Sequence, residues 1–329
     1  MGNGRGWEFY LFVVAFGSVA FLSVAVSFVW WLWKRFRKPA ASFTSPPIPP
    51  GVDPQEFVAK LRGLADYVDG LLTTPEEQKR NLFNKARAEQ EKRHYSTAID
   101  LFRDCLSLEP SAKEKAALHL QMGNSYLRLG KPGHASAAYQ LALSEARQCG
   151  EIEAEGAALG NMGLVYAAKG ELDKALTHQQ QALDIHRKIE NPLGEANALD
   201  NMGTVYHRKG ELDKALTHHQ QALDIRRKIG NLLGEANARG NMGLVYANKG
   251  ELDKALTHHQ QALDIDRKIG NPLGEASALG NMGFALTQKR MLPKARDCLR
   301  TSYELYLKLG ASPGSLAKVK EALDELGEG

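Results

Sequence analysis

The most constraining feature of the chain is a 40-residue segment written three times between about Glu155 and Arg290, with looser versions at either end. Over 34 positions, the copies that start at Gly210 and Gly250 differ only at Arg226/Asp266, Leu232/Pro272, Asn237/Ser277 and Arg239/Leu279. The copy that starts at Gly170 differs a little more. Self-similarity at a fixed period of this length predicts a stacked array of supersecondary units, because one such unit cannot bury its apolar face alone.

One unit reads as two helices. Leu199, Met202, Gly203 and Tyr206 recur at helical spacing and form one face. Asn191 and Pro192 suit an N-cap and a first helical position, and Gly210 suits a C-terminal stop. A second stripe follows at Leu212, Ala215, Leu216, His219, Ala222, Leu223, Arg226 and Ile229. Glu211 and Asp213 open that helix and Arg226, Arg227 and Lys228 close it, which complements its dipole. The expected unit is an antiparallel helix pair with a tight turn. Gly203 and Ala222 are expected where two helix backbones approach closely.

The set Met202, Gly203, Tyr206, Gly210, Ala215 and Ala222 resembles the tetratricopeptide repeat. It recurs from Met162 and from Met242. Looser matches lie upstream (Met122, Gly123, Tyr126, Gly130, Ala135; then Ala98, Phe102, Cys105 and Pro110) and downstream (Met282, Gly283, Ala295 and Leu299, with Leu286 in place of the tyrosine). The resemblance covers about 79–310 as six units, near 79–112, 116–150, 155–190, 192–230, 232–270 and 272–310. The 40-residue period is similar to that of the kinesin light chain and LGN/Pins subgroup. It implies an all-α, right-handed superhelical solenoid of about six helix pairs. Leu316, Val319, Leu323 and Leu326 then suit a capping helix at 313–327, which an array needs at its exposed end.

The N-terminal part is a different material. Phe9 to Trp33 is a run of 25 residues without a charge, about 37 Å of helix against a hydrocarbon core of about 30 Å. All four tryptophans of the chain lie at its two ends: Trp7 at one, and Trp30, Trp31 and Trp33 at the other. Arg5 precedes it, while Lys34, Arg35, Arg37 and Lys38 follow. The expectation is a transmembrane helix at 9–33 behind a short tail at 1–8, with the C-terminal side cytoplasmic by the positive-inside rule. The membrane expected is a bacterial inner membrane, or an organelle outer membrane in a eukaryote. A basic then proline-rich linker is expected at 34–53. An amphipathic helix is expected at 54–74, carrying Phe57, Leu61, Leu64, Val68 and Leu71.

Residues 1–50 carry five of the 42 basic residues and one of the 38 acidic ones, so the net charge of +4 belongs to that region. The rest of the chain is formally neutral, which argues against a nucleic-acid partner. Cys105, Cys149 and Cys298 have no metal or redox spacing. His178, His218-His219 and His258-His259 form a ladder, but adjacent residues on a helix diverge by about 100° and cannot share one ion. His219 and His259 are expected to line the core. No nucleophile with a base suggests itself. No metal, no cofactor and no catalytic residue are expected, and the chain is not expected to be an enzyme.

The candidate site is a rank of asparagines. Asn161, Asn201, Asn241 and Asn281 hold the same place in four consecutive units, and Asn197, Thr204 and Arg208 share the stripe. An amide offers both donor and acceptor, so such a rank suits the backbone of an extended peptide. The family resemblance implies that this stripe lines the concave groove, as in kinesin light chain and LGN-type repeats. Leu164, Asp200, Leu244, Asn248, Phe284 and Gln288 are the neighbours expected to set specificity. The carboxylate-clamp pattern of chaperone-binding relatives is missing: Gly160, Leu164, Asn197 and Asn201 stand at such places. The alternative reading keeps these amides as internal ties within the array. At the level of function, the sequence suggests a membrane-anchored scaffold or adaptor for a protein or peptide partner. A docking receptor for precursor proteins and a self-assembling homo-oligomeric coat are the rivals.

Overall fold

The computed structural model describes residues 74–327. The tail at 1–8, the expected membrane span at 9–33, the linker at 34–53 and all of the amphipathic segment except Thr74 lie outside the described residues. Among those described there are thirteen helices and no strand. Among them too, no helix is long and apolar enough to cross a membrane. In chain order they are α1 Pro75–Glu91, α2 Tyr95–Ser107, α3 Ala112–Arg128, α4 Pro132–Cys149, α5 Ile152–Ala168, α6 Leu172–Lys188 and α7 Pro192–Arg208. They continue as α8 Leu212–Lys228, α9 Leu232–Asn248, α10 Leu252–Ile269, α11 Pro272–Gln288, α12 Leu292–Lys308 and α13 Pro313–Glu325.

The ends of the helices follow from their side chains. Ser111 and Glu114 form a capping box at the start of α3. Asn191, Asn231 and Asn271 each accept a hydrogen bond from the backbone N–H three residues on, at Gly194, Gly234 and Gly274. Within a unit the first helix closes on a left-handed residue, Gly170, Gly210 or Gly250, at φ 81°, 77° and 78°. This single residue reverses the chain, and the second helix begins two residues later.

Consecutive helices pack as antiparallel pairs, α3 with α4 through α11 with α12. First helices of neighbouring units also touch: α3 with α5, α5 with α7, α7 with α9 and α9 with α11. The seams are built of alanines with no exposed surface (Ala175, Ala182, Ala215, Ala222, Ala255), filled between by Leu183, Leu199, Leu223 and Leu263. Burying a leucine of this kind contributes about 1.5–3 kcal/mol. Helix α13 carries Val319 and Leu323 into the last apolar cluster, against Leu299 and Tyr306.

Gly203 does not mark a backbone-to-backbone approach, as its small size suggested. A Cβ there would meet the ring of His219 at 2.8 Å. The same residue of each unit clears room for one side chain of the paired helix: Tyr139 at Gly123, Gln179 at Gly163, His259 at Gly243 and Leu299 at Gly283. His219 and His259 are each 1% exposed, so the histidines read as core lining do lie in the core.

Candidate functional site

Asn161, Asn201, Asn241 and Asn281 hold equivalent positions on α5, α7, α9 and α11, and all four are half-buried. Three of them reach back along the array. Asn161 Nδ2 donates to Asn124 Oδ1 at 3.2 Å, and Asn241 Nδ2 to Asp200 Oδ2 at 3.2 Å. Asn201 Nδ2 makes a long contact of 3.5 Å with Gln179 Oε1. Asn281 makes no side-chain hydrogen bond among the described residues. The rank is therefore shared between tying the units together and facing outward, and Asn281 is the member least committed to the fold.

Two cavities open on this face, 80 residues apart in sequence and built from equivalent positions. The first measures 260 Å³ and has Asn161, Asn197 and Asn201 on its wall, with His186 and Glu153. The second measures 440 Å³ and has Asn241, Asn281 and Leu244 on its wall, with Asp200, Asn237 and Asp266. In each, a glycine three residues after the asparagine cap lets a side chain of the preceding helix pack against the wall. A Cβ at Gly194 would meet the His186 ring at 2.4 Å, and one at Gly274 would meet the Asp266 carboxylate at 2.4 Å.

Between them, the equivalent space of the middle unit is occupied by the chain itself. Arg226, 5% exposed, donates from Nη1 to the Gly234 carbonyl at 2.9 Å and to Asp200 Oδ2 at 3.3 Å, and from Nη2 to Asn197 Oδ1 at 3.3 Å. Asp200 Oδ1 also lies 2.6 Å from His219 Nδ1. Burial alone would raise the Asp200 carboxyl, but the His219 hydrogen bond and charge, then Arg226 and Asn241, hold it below the ordinary carboxylate value. No such set exists in the next unit, where Gly240 stands at the place of Asp200 and Asp266 at the place of Arg226. Burial pushes the Asp266 carboxyl up, against the hydrogen bond from Asn271 and with the charge of Glu275 adding to the rise.

Apart from Leu244, which is on the wall of the 440 Å³ cavity, the remaining candidate residues lie beside the cavities rather than in them. Leu164 and Leu244 are exposed apolar side chains of α5 and α9, at 37% and 38%. Thr204 bonds to the Asp200 carbonyl of its own helix at 3.1 Å. Arg208 donates to the Ala167 carbonyl, and Asn248 Nδ2 lies 2.6 Å from His207 Nε2, so each ties its unit to the one before. Phe284 is drawn toward α13, with Lys318 Nζ 4.9 Å from its ring centroid. Gln288 is exposed and lines neither cavity. His178, His218 and His258 lie against the rings of Tyr166, Tyr206 and Tyr246. Among the described residues no group of three or more His, Cys, Asp or Glu side chains is placed to hold a metal ion.

Reading the sequence for shared positions passed over His186, Asp266 and Gly274. The signal was present, because Arg226/Asp266 and Asn237/Ser277 are two of the few differences between near-identical copies, and both fall on these cavities.

The tetratricopeptide-repeat family matches residues 116–149, 154–228 and 234–308, together more than half of the chain. No curated protein sequence matches it. Among solved structures, aspartyl phosphate phosphatase F from Bacillus subtilis is similar at a TM-score of 0.60 and 14% identity, covering 97% of this chain and 86% of that one. A Rap protein complexed with competence and sporulation factor gives 0.59 and 16%, covering 79% and 78%. A putative kinesin light chain from Podosopora anserina with nearly identical repeats gives 0.50 and 14%, covering 60% and 98%. At such identities these likenesses speak for the fold alone. The matched repeats, which coincide with the helix pairs, make the chain a member of the tetratricopeptide-repeat family.

Proposed function

We propose that this chain is a scaffold whose first-helix face binds an extended peptide segment of a partner protein, and that residues 9–33 hold it to a membrane with the repeats on the cytoplasmic side. The observation that carries the reading is the pair of equivalent cavities walled by the asparagine rank. They offer amide donors and acceptors at equivalent positions of successive units, which can pair with the backbone groups of an extended chain whatever its sequence. The Rap structure, solved with competence and sporulation factor, is a precedent for ligand binding on a related fold. The groove asparagines resemble those of kinesin light chain and LGN-type repeats. The anchor rests on the uncharged run and its flanking basic residues.

Asn281→Ala separates binding from folding, because that side chain makes no hydrogen bond among the described residues. Peptide recovery by the full chain is expected to fall at least tenfold, with its melting temperature unchanged within about 1 °C. Unchanged recovery in this variant and in the fourfold Asn161, Asn201, Asn241, Asn281→Ala variant would exclude this face. For the anchor, alkaline-washed membranes should retain the full chain and release a chain lacking residues 9–33. Equal retention of both would remove the anchor from the reading.

A further inference from the structure

We infer that the 440 Å³ cavity between α9 and α11 is a specificity pocket for an arginine side chain of the bound segment. The inference rests on the peptide-binding reading above and gives it a chemistry. Asp266 is 4% exposed and lines the cavity. Its Oδ1 accepts one hydrogen bond, 2.8 Å from Asn271 Nδ2, and no lysine, arginine or histidine among the described residues pairs with it. A buried carboxylate without a cation is an unfavourable arrangement that an incoming cation relieves. The other carboxylate on the wall, Asp200, already has Arg226 and His219 as partners, so the cavity keeps one uncompensated negative charge.

The chain also displays the occupant. In the middle unit the guanidinium of Arg226 sits in the equivalent space and reads three acceptors: the Gly234 carbonyl, Asn197 Oδ1 and a carboxylate. The wall of the 440 Å³ cavity presents the counterparts Gly274, Asn237 and Asp266, with the carboxylate moved from the first helix to the second. A guanidinium arriving from a ligand makes there the contacts that Arg226 makes within its own chain. Its planar fork of five donors suits three divergent acceptors better than an ammonium does. The 260 Å³ cavity carries His186 in place of Asp266, and burial lowers that imidazole, so the array is asymmetric in what its two cavities accept.

The test is selection of displayed random octapeptides on the purified full chain, followed by fluorescence polarisation of a selected peptide and of its citrulline counterpart. Citrulline keeps the shape of arginine and removes the charge. Arginine is expected in the selected sequences, with at least tenfold tighter binding than citrulline. In Asp266→Asn, which keeps the acceptor for Asn271, that ratio should fall below twofold. Asp266→Arg should abolish binding of the arginine peptide, while circular dichroism shows helix content unchanged in both variants. Peptides selected without arginine, but lost in Asn281→Ala, would overturn the pocket and leave the peptide-binding face standing. No recovered peptide would overturn both. Arginine amide that competes as well as the octapeptide would also overturn the inference, since the site would then take a free cation.

Discussion

Equivalent histidines in adjacent copies have unlike surroundings, and this sets how the fold responds to acid. His219 Nδ1 has Asp200 Oδ1 beside it, whereas Gly240 leaves the buried Nδ1 of His259 without a partner. Burial, with the neighbouring His258 adding, pushes the His259 imidazole down from 6.5 to about 4. The folded chain therefore resists a proton that the unfolded chain accepts. The contribution is fully present above pH 6.5 and is lost as the pH falls toward 4, about 3 kcal/mol over that window. Gln179 fills the same place in an earlier copy, with its Nε2 donating to the Gly160 carbonyl at 2.8 Å. His259→Gln should remove this acid-side loss in urea titrations between pH 6.5 and 4.5, and change stability at pH 7.5 by less than about 1 kcal/mol. An acid limb equal to that of the wild type would assign the loss to other groups. Asp266 has the opposite sign: its raised carboxyl makes the fold less stable as the pH climbs above its ordinary 3.8. Glu190 holds a left-handed φ of 52° where Gly230 and Gly270 stand in other copies. Glu190→Gly should raise the melting temperature by about 2–4 °C, from a gain of about 1 kcal/mol after glycine's greater chain entropy.

At the scale of the helix pair, one coupled exchange among the differences between the middle unit and the next decides whether the space is filled. Asp200 comes from α7 and Arg226 from α8, and together they fill the space that Gly240 and Asp266 leave as a cavity. Gly240→Asp with Asp266→Arg copies that arrangement into the later unit. The double variant should bring an acid within reach of His259, close the 440 Å³ cavity and lose recovery of arginine peptides, with stability equal to or above that of the wild type. Either substitution alone leaves a buried charge badly partnered and should be the less stable form by about 1–3 kcal/mol. The helix pairs themselves were legible in the sequence, because period, caps and left-handed glycines are local signals that each copy repeats. Asn191, Gly210 and the buried stripe of α8 from Ala215 to Arg226 stand where those signals put them, whereas Ile229, expected to close the stripe, is the exposed C-cap residue. The cavities were not legible by the same route. They arise where one copy departs from the shared pattern, and what a departure does depends on which side chain of the paired helix turns into the space. Phe284 shows the limit from the other side. It holds the same register as Leu244, but α13 supplies a neighbour that no earlier unit has, and the ring turns to Lys318.

The whole array is held by contacts that seldom reach beyond the next unit, and its surface ion pairs follow the same rule. Lys209 pairs with Asp173, Lys249 with Asp213 and Lys289 with Asp253, each across one period. Such exposed pairs are worth little singly, so stability is a near-sum of unit terms and interfaces. That makes an internal deletion of one whole period a test of the architecture. Removing residues 251–290 joins Gly250 to Met291, so that a glycine replaces Arg290, whose φ is 59°, at the turn. Helix α12 then pairs with α9 as α10 did, and Leu299 meets Gly243 as it now meets Gly283. The shortened chain should keep its helix content per residue and unfold in one transition, with a urea m-value lower by roughly one-sixth, since m follows the surface exposed on unfolding. It should also lose the preference for arginine peptides, because Asp266 and Asn281 leave with the deleted helices. Lost helix content, or a second transition, would mean that the interfaces are not interchangeable and that the near-identity of the copies hides contacts particular to each.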